Sequence, residues 1–152
     1  MSNKILVLGA GGLIGRFLVK SLLAAEYKVL ACDLHVNTMQ DAFTKIGLEL
    51  AHPHLTLLSI DISDRSALNN LFETYEDIDG AVNCTYPRNK NYGADFLRVT
   101  LHDFNENLAL NLGSSFLFIQ CCVEYFNKQQ RAFSLVNISS IYGVVPPKFE
   151  IY

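Results

Sequence analysis

The stretch Lys4-Ile5-Leu6-Val7-Leu8-Gly9-Ala10-Gly11-Gly12-Leu13-Ile14-Gly15 decides how this chain folds. The apolar run Ile5 to Leu8 suits a parallel strand covered on both faces. A helical pattern follows at once, with Phe17, Leu18, Leu22 and Ala25 on one side. Gly9 suits the tight turn out of the strand, and Gly12 lets the backbone approach an anion closely. Gly15 lets the helix pack against the strand. The helix N-terminus then turns N–H groups and partial positive charge toward that anion. The junction reads as a phosphate cradle.

A second apolar run, Lys28 to Cys32, ends in Asp33. An acidic residue at the tip of the second strand, roughly twenty residues past the glycines, is where a dinucleotide fold grips the adenosine ribose. Its carboxylate accepts hydrogen bonds from both ribose hydroxyls, each worth about 1.5–3 kcal/mol, and repels a 2′-phosphate. Asp33 therefore predicts NAD over NADP. The competing reading makes it a turn aspartate that caps the next segment.

Further along, a helix is predicted at about Thr38 to Leu50, with Met39, Ala42, Phe43 and Ile46 on one face. A third strand, Leu55 to Ile60, leads into Asp61. Ser63 or Asp64 can cap the next helix, whose apolar face carries Leu68, Leu71, Phe72 and Tyr75. Gly80 to Thr85 reads as the fourth strand, followed by an irregular stretch from Tyr86 to Thr100. The longest helix is expected at about Leu101 to Lys128. One of its stripes is Phe104, Leu108, Leu112 and Phe116; the other is Phe118, Cys122 and Tyr125. A helix apolar on two sides is expected to be buried on two sides. Phe133 to Ile138 is the fifth strand.

Alternating strands and helices with short connections predict an α/β fold, a Rossmann-type doubly wound parallel sheet in three α/β/α layers. The expected strand order is 3-2-1-4-5, with the cofactor across the carboxyl ends. The 152 residues make one domain, read as a single NAD-binding unit over 1–152. A net charge of −3 supplies no basic field for nucleic acid. No apolar run reaches the roughly 20 residues that span a bilayer, so no membrane partner is expected and the chain is read as cytoplasmic. Its four cysteines form no Cys-x-x-Cys pair, which fits buried, reduced thiols. His52 and His54 flank Pro53 without a third ligand at an evident spacing, and no metal site is predicted. Asp77 and Asp79 read as turn formers. Arg88, Lys90 and Arg98 read equally as a solvated loop or as a greeting for an anionic substrate.

These residues resemble the short-chain dehydrogenase/reductase family over nearly the whole chain. Gly9-x-x-Gly12-x-x-Gly15 is similar to its glycine loop, which implies Leu13 and Ile14 as cofactor contacts beside the glycines. Asp61-Ile62 resembles the pair that touches the adenine. Asn83-Cys84-Thr85 sits where the family carries an Asn-Asn-Ala-Gly-like segment beside the adenosine ribose. Asn111 resembles the helix asparagine that anchors a proton-relay water, and Ser140 the active-site serine. More narrowly, Tyr86 to Gly93 and the Ser139 to Tyr152 tail resemble oxidoreductases of flagellin modification and surface-polysaccharide biosynthesis, which implies a sugar-related substrate.

The family's acid–base pair is a tyrosine with a lysine four residues later, a dozen or more residues beyond the serine. This chain runs twelve residues past Ser140, to Tyr152, and neither Tyr142 nor Tyr152 has such a lysine. The one Tyr-x-x-x-Lys, Tyr86 to Lys90, holds Pro87 inside it. The resemblance therefore implies the amino-terminal portion of an enzyme, ending after the fifth strand and inactive alone. Two alternatives stay open: a dinucleotide binder without catalysis, and a nucleotide-sugar epimerase or dehydratase. A small-molecule substrate is the expected partner, with a second copy on the long helix.

Overall fold

The computed structural model describes residues 3–146. The tail after Pro146, Tyr152 included, lies outside the described residues. The strands β1 (Lys4–Leu8), β2 (Lys28–Asp33), β3 (Leu55–Ser59), β4 (Ile78–Asn83) and β5 (Ser134–Asn137) form one sheet. Its order is β3-β2-β1-β4-β5, with each neighbouring pair parallel. The order reverses between β1 and β4, and that reversal opens a crevice at the carboxyl ends.

Side chains alternate across a strand, and β1 shows what each face meets. Leu6 and Leu8 join Leu68 and Phe72 of α3 (Arg65–Thr74) and Phe118 of α5 (Ser114–Gln129). Val7 points the other way, to Val19 of α1 (Leu13–Ala24) and to Met39 and Phe43 of α2 (Val36–Lys45). Two helical layers thus cover one sheet, as the sequence pattern requires.

Several boundaries differ from those predicted. The second helix stops at Lys45 because Gly47 turns the chain with φ +67, a conformation that favours glycine. Asp64 is the α3 cap: its Oδ1 accepts from the Ser66 and Ala67 amides at 2.8 and 3.2 Å. The fourth strand begins earlier, at Ile78, and ends at Asn83.

The long helix is present from Leu101 to Gln129 but is not uniform. After α4 (Leu101–Leu108) comes a π-turn, Ala109–Gly113, and then α5. A π-turn inserts residues into the α-helical register, so the four-residue stripe through Phe104, Leu108, Leu112 and Phe116 is interrupted. Phe118, Cys122 and Tyr125 are buried, whereas Phe104, Leu112 and Phe116 are 54%, 69% and 59% exposed. Burial on two sides is therefore corrected to burial on one. By length and composition this helix could also cross a membrane, contrary to expectation. Its buried side packs in the core of the sheet, as a core helix does.

Two polar anchors fix the start of β4. Arg131 reaches Asp77 at 3.3 Å and Asp79 at 2.5 Å, and the other Asp79 oxygen accepts the Lys4 amide at 2.9 Å. The Tyr125 hydroxyl donates to the Glu76 carbonyl at 2.6 Å and accepts from the Ile78 amide at 2.9 Å. Its ring packs on Phe72 and Phe133. Tyr125→Phe keeps that packing but leaves a buried N–H unpaired, a loss of about 1–3 kcal/mol. Urea unfolding should show that loss with the m-value unchanged.

Candidate functional site

At the carboxyl end of β1 the chain turns through Gly9, φ +70. The Gly12 amide donates to the Gly9 carbonyl at 3.1 Å, and the Ala10 amide to the Cys32 carbonyl at 3.0 Å. A side chain at Gly9 would lie 2.8 Å from the Cys84 backbone, so this turn lies directly on the end of β4. At Gly15 an added Cβ would meet the Gly9 carbonyl oxygen at 2.1 Å. Only glycine lets α1 start this close to the strand. Gly12, the N-cap of α1, has no side chain to occupy the first amides of the helix, which remain for an anion. The Leu13 and Ile14 side chains beside them are exposed.

Asp33 faces the same loop. Its Oδ2 accepts the Gly11 amide at 2.8 Å and its Oδ1 the Leu34 amide at 2.8 Å. The turn-forming and ligand-binding readings of Asp33 thus coexist, since a carboxylate has about four acceptor sites and two are used here. Gly11 is part of the cradle as well, since a Cβ there would press on Met39 at 3.0 Å and on Asp33 at 3.2 Å. The backbone turn, the uncapped helix and the half-used carboxylate fit a dinucleotide's pyrophosphate and ribose.

Asp61 and Ile62 follow β3, and Asn83 ends β4. Asp61 is exposed and its Oδ1 holds the Ser63 amide and hydroxyl at 2.8 and 2.6 Å. The Ile62 side chain is buried in the core, so adenine could meet this residue only through its main chain. Asn83 is buried too. Its Oδ1 accepts from the Thr85 amide and hydroxyl, and its Nδ2 donates to Asn137 Oδ1 at 3.2 Å and to Ser115 Oγ at 3.5 Å. Asn83 clasps β4 to β5 and α5.

Beyond β4, the segment 86–100 lies against α4, and the two flank an open cavity of about 350 Å³. Tyr86, Tyr92, Val99, Phe104, Leu108 and Asn111 line much of it. Beneath lies Asp103, 8% exposed. Its Oδ1 accepts from Asn89 at 3.0 Å and Asn91 at 2.7 Å, and its Oδ2 from the Thr100 hydroxyl at 2.5 Å. Asn89 and Asn107 exchange two hydrogen bonds, at 3.1 and 3.0 Å. The Tyr86 and Tyr92 hydroxyls are hydrogen-bonded, with their rings edge to face at 5.7 Å. Bonds from Thr100 and Asn91 hold the Asp103 carboxyl below its usual range.

A family model described as short chain dehydrogenase matches residues 3–152. The chain belongs to that family. Post-translational flagellin modification protein A of Campylobacter coli is 35% identical over all of this chain, which spans 61% of that protein. A short chain dehydrogenase of Leptospira borgpetersenii solved with bound NAD+ superposes with a TM-score of 0.82 at 24% identity. All of this chain is covered, against 57% of that one. The Pseudomonas aeruginosa RhlG/NADP active-site complex gives 0.76 at 21%, covering 96% of this chain and 57% of its own.

Within this chain, Asn111 sits mid-way through the π-turn, donating to the Asn107 carbonyl at 3.1 Å, and lines the cavity. Ser140 lies outside that lining, at the exposed exit of β5, where its Oγ accepts the Tyr142 amide at 3.2 Å. Tyr86 and Lys90 lie in an irregular segment, so the two are not a helical turn apart. The four thiols are held up by burial, Cys122 to about 12, and stay protonated at neutral pH. His52 Nδ1 accepts the His54 amide at 3.2 Å in a local turn.

The asparagine clamp around Asp103 went unread in the sequence. Its signal was there: Asp103, Asn107 and Asn111 recur every fourth residue and so share one helix face. Because the folded carboxyl is lowered, its stabilisation is full above the unfolded value of about 3.9 and is lost as pH falls through the folded value. The stability gap between wild type and Asp103→Asn should therefore close as pH falls from about 5 to about 2. Chemical denaturation across that range measures it.

Proposed function

We propose that this chain is the dinucleotide-binding portion of an NAD-dependent oxidoreductase that acts on an alcohol or ketone of a sugar-related substrate. Asp33 carries the reading: an acidic group on the glycine loop favours two ribose hydroxyls and repels a 2′-phosphate. The solved relatives hold NAD+ in one case and NADP in another, so this chain's own carboxylate makes the choice. A relative named for flagellin modification supports the sugar-related substrate.

In this reading the nicotinamide supplies or accepts hydride. Gly9 to Gly15 hold the pyrophosphate, Ser140 orients the substrate oxygen, and Asn111 steadies a water for proton exchange. A base of suitable pKa is not among these groups, so the chain alone binds without turnover. Calorimetric titration should give NAD+ an affinity at least about tenfold above NADP+, equivalent to one charge-assisted contact. Asp33→Ala should weaken NAD+ and erase the preference; equal affinities in the wild type would refute the assignment.

A second copy is the proposed partner. Leu112, Phe116 and Val123 of the long helix are more than half exposed, a strip that self-complementary two-fold pairing would cover. Light scattering behind a sizing column should give about twice the 17.0 kDa of the chain. A monomer at every concentration would count against it.

A further inference from the structure

We propose that Asn137 is a positioning residue for Ser140: through Asn83 it holds the exit of β5 in register with the end of β4, on which the Gly9 turn rests. This assignment rests on the oxidoreductase reading above and adds how the serine and the cofactor cradle are kept in place relative to one another.

The exit of β5 needs such a tie. Among the described residues the strand is four residues long and lies at the edge of the sheet, paired with β4 alone. Short edge strands open more readily than central ones, because few ladder bonds hold them. Ser140 stands three residues beyond Asn137. The Ile138 amide still reaches the Asn83 carbonyl at 3.0 Å. After it, the described bonds of Ser140 are local, from the Gly143 amide to its carbonyl at 3.0 Å and from the Tyr142 amide to its Oγ at 3.2 Å. Neither fixes the serine against the sheet.

Asn83 supplies the fixed point. It is 4% exposed, and its side chain is saturated. Its Oδ1 accepts the Thr85 amide and hydroxyl at 3.0 and 2.7 Å, and its Nδ2 donates to Asn137 Oδ1 at 3.2 Å and to Ser115 Oγ at 3.5 Å. A buried amide engaged at both ends keeps one orientation, so it places whatever is bonded to it. Each bond leads to a different part of the site. A Cβ at Gly9 would lie 2.9 Å from the Thr85 amide nitrogen, so that arm ends on the cofactor turn. Ser115 follows Asn111 by four residues, and Asn137 precedes Ser140 by three.

The residue type supports the role. Asparagine is a poor strand former, and this one is exposed on an edge strand, so neither propensity nor burial accounts for it there. Its Oδ1 takes a hydrogen of a buried amide that an apolar side chain would leave unpaired. Without that oxygen Asn83 still holds Thr85 and Ser115, so β4 and the cradle keep their places while the exit of β5 is released.

Amide NMR on the full chain tests this, with ADP-ribose as the probe. ADP-ribose has the pyrophosphate and riboses of the dinucleotide but no nicotinamide ring, so it cannot shift Ser140 through that ring. In the wild type it should shift the Gly12 and Gly15 amides and the Ser140 amide as well. Asn137→Ala should keep the glycine shifts, hold ADP-ribose affinity by calorimetry within about twofold, and reduce the Ser140 shift about twofold or more. Asn137→Asp keeps Oδ1 and should restore the Ser140 shift, a rescue that tracks the acceptor oxygen rather than general stability. Thr85→Val keeps the shape of threonine but removes the hydroxyl arm. It should also reduce the Ser140 shift, and it decides the question if Asn137→Ala does not fold. The positioning role is overturned by a wild type with no Ser140 shift, by an undiminished shift in Asn137→Ala or Thr85→Val, or by a shift that Asn137→Asp fails to restore. An ADP-ribose affinity that falls in step with the Ser140 shift in Asn137→Ala overturns it too. Failure of ADP-ribose to shift Gly12 and Gly15 in the wild type overturns the dinucleotide reading along with it.

Discussion

The approach of α1 to the Gly9 carbonyl is the constraint on which the rest depends. A Cβ at Gly15 would sit 2.1 Å from that oxygen, so one missing side chain allows the helix to begin where it does. Because α1 begins there, its uncapped amides converge on the crevice between β1 and β4. Because Gly9 in turn presses on Cys84, the end of β4 is placed by the same contact. Asp33 then closes the arrangement from β2 by holding the Gly11 amide. Three strands are thus registered against one loop.

A different kind of anchoring governs the other half of the crevice. There the backbone of 86–100 is irregular and gets its order from side chains, chiefly the Asp103 carboxylate and the paired amides of Asn89 and Asn107. A charge that accepts several hydrogen bonds can organise a long loop at modest cost, because each donor is also satisfied. The cradle is rigid by exclusion of side chains, and the cavity wall by their mutual bonding.

What could be read in the sequence follows the same division. The strand order, both helical layers and the cradle were legible because apolar periodicity and glycine spacing report backbone geometry directly. The position of Asp33 at the tip of β2, against the glycine loop, was legible from its distance past the glycines. The surroundings of the Ile62 and Asn83 side chains were not legible, because a side chain's direction at a strand end depends on tertiary neighbours such as Asn137 and Ser115, distant in sequence. The second helix ran long in prediction because Gly47 breaks it without a proline to announce the break. The clamp on Asp103 was missed because an aspartate among asparagines looks like any solvated face until the loop is folded over it.

The π-turn at Ala109–Gly113 has a consequence for how such a helix can change over time. In a regular helix, residues on either side of Asn111 would be locked in phase, and every alteration of the cavity face would rotate the core face too. The wider turn takes up the offset, so the exposed face of α4 can change while Phe118, Cys122 and Tyr125 keep their seats against the sheet. Loss of one residue there would return the helix to a single phase, by a swing of about 100°. The turn works as a clutch between an adaptable segment and a fixed one.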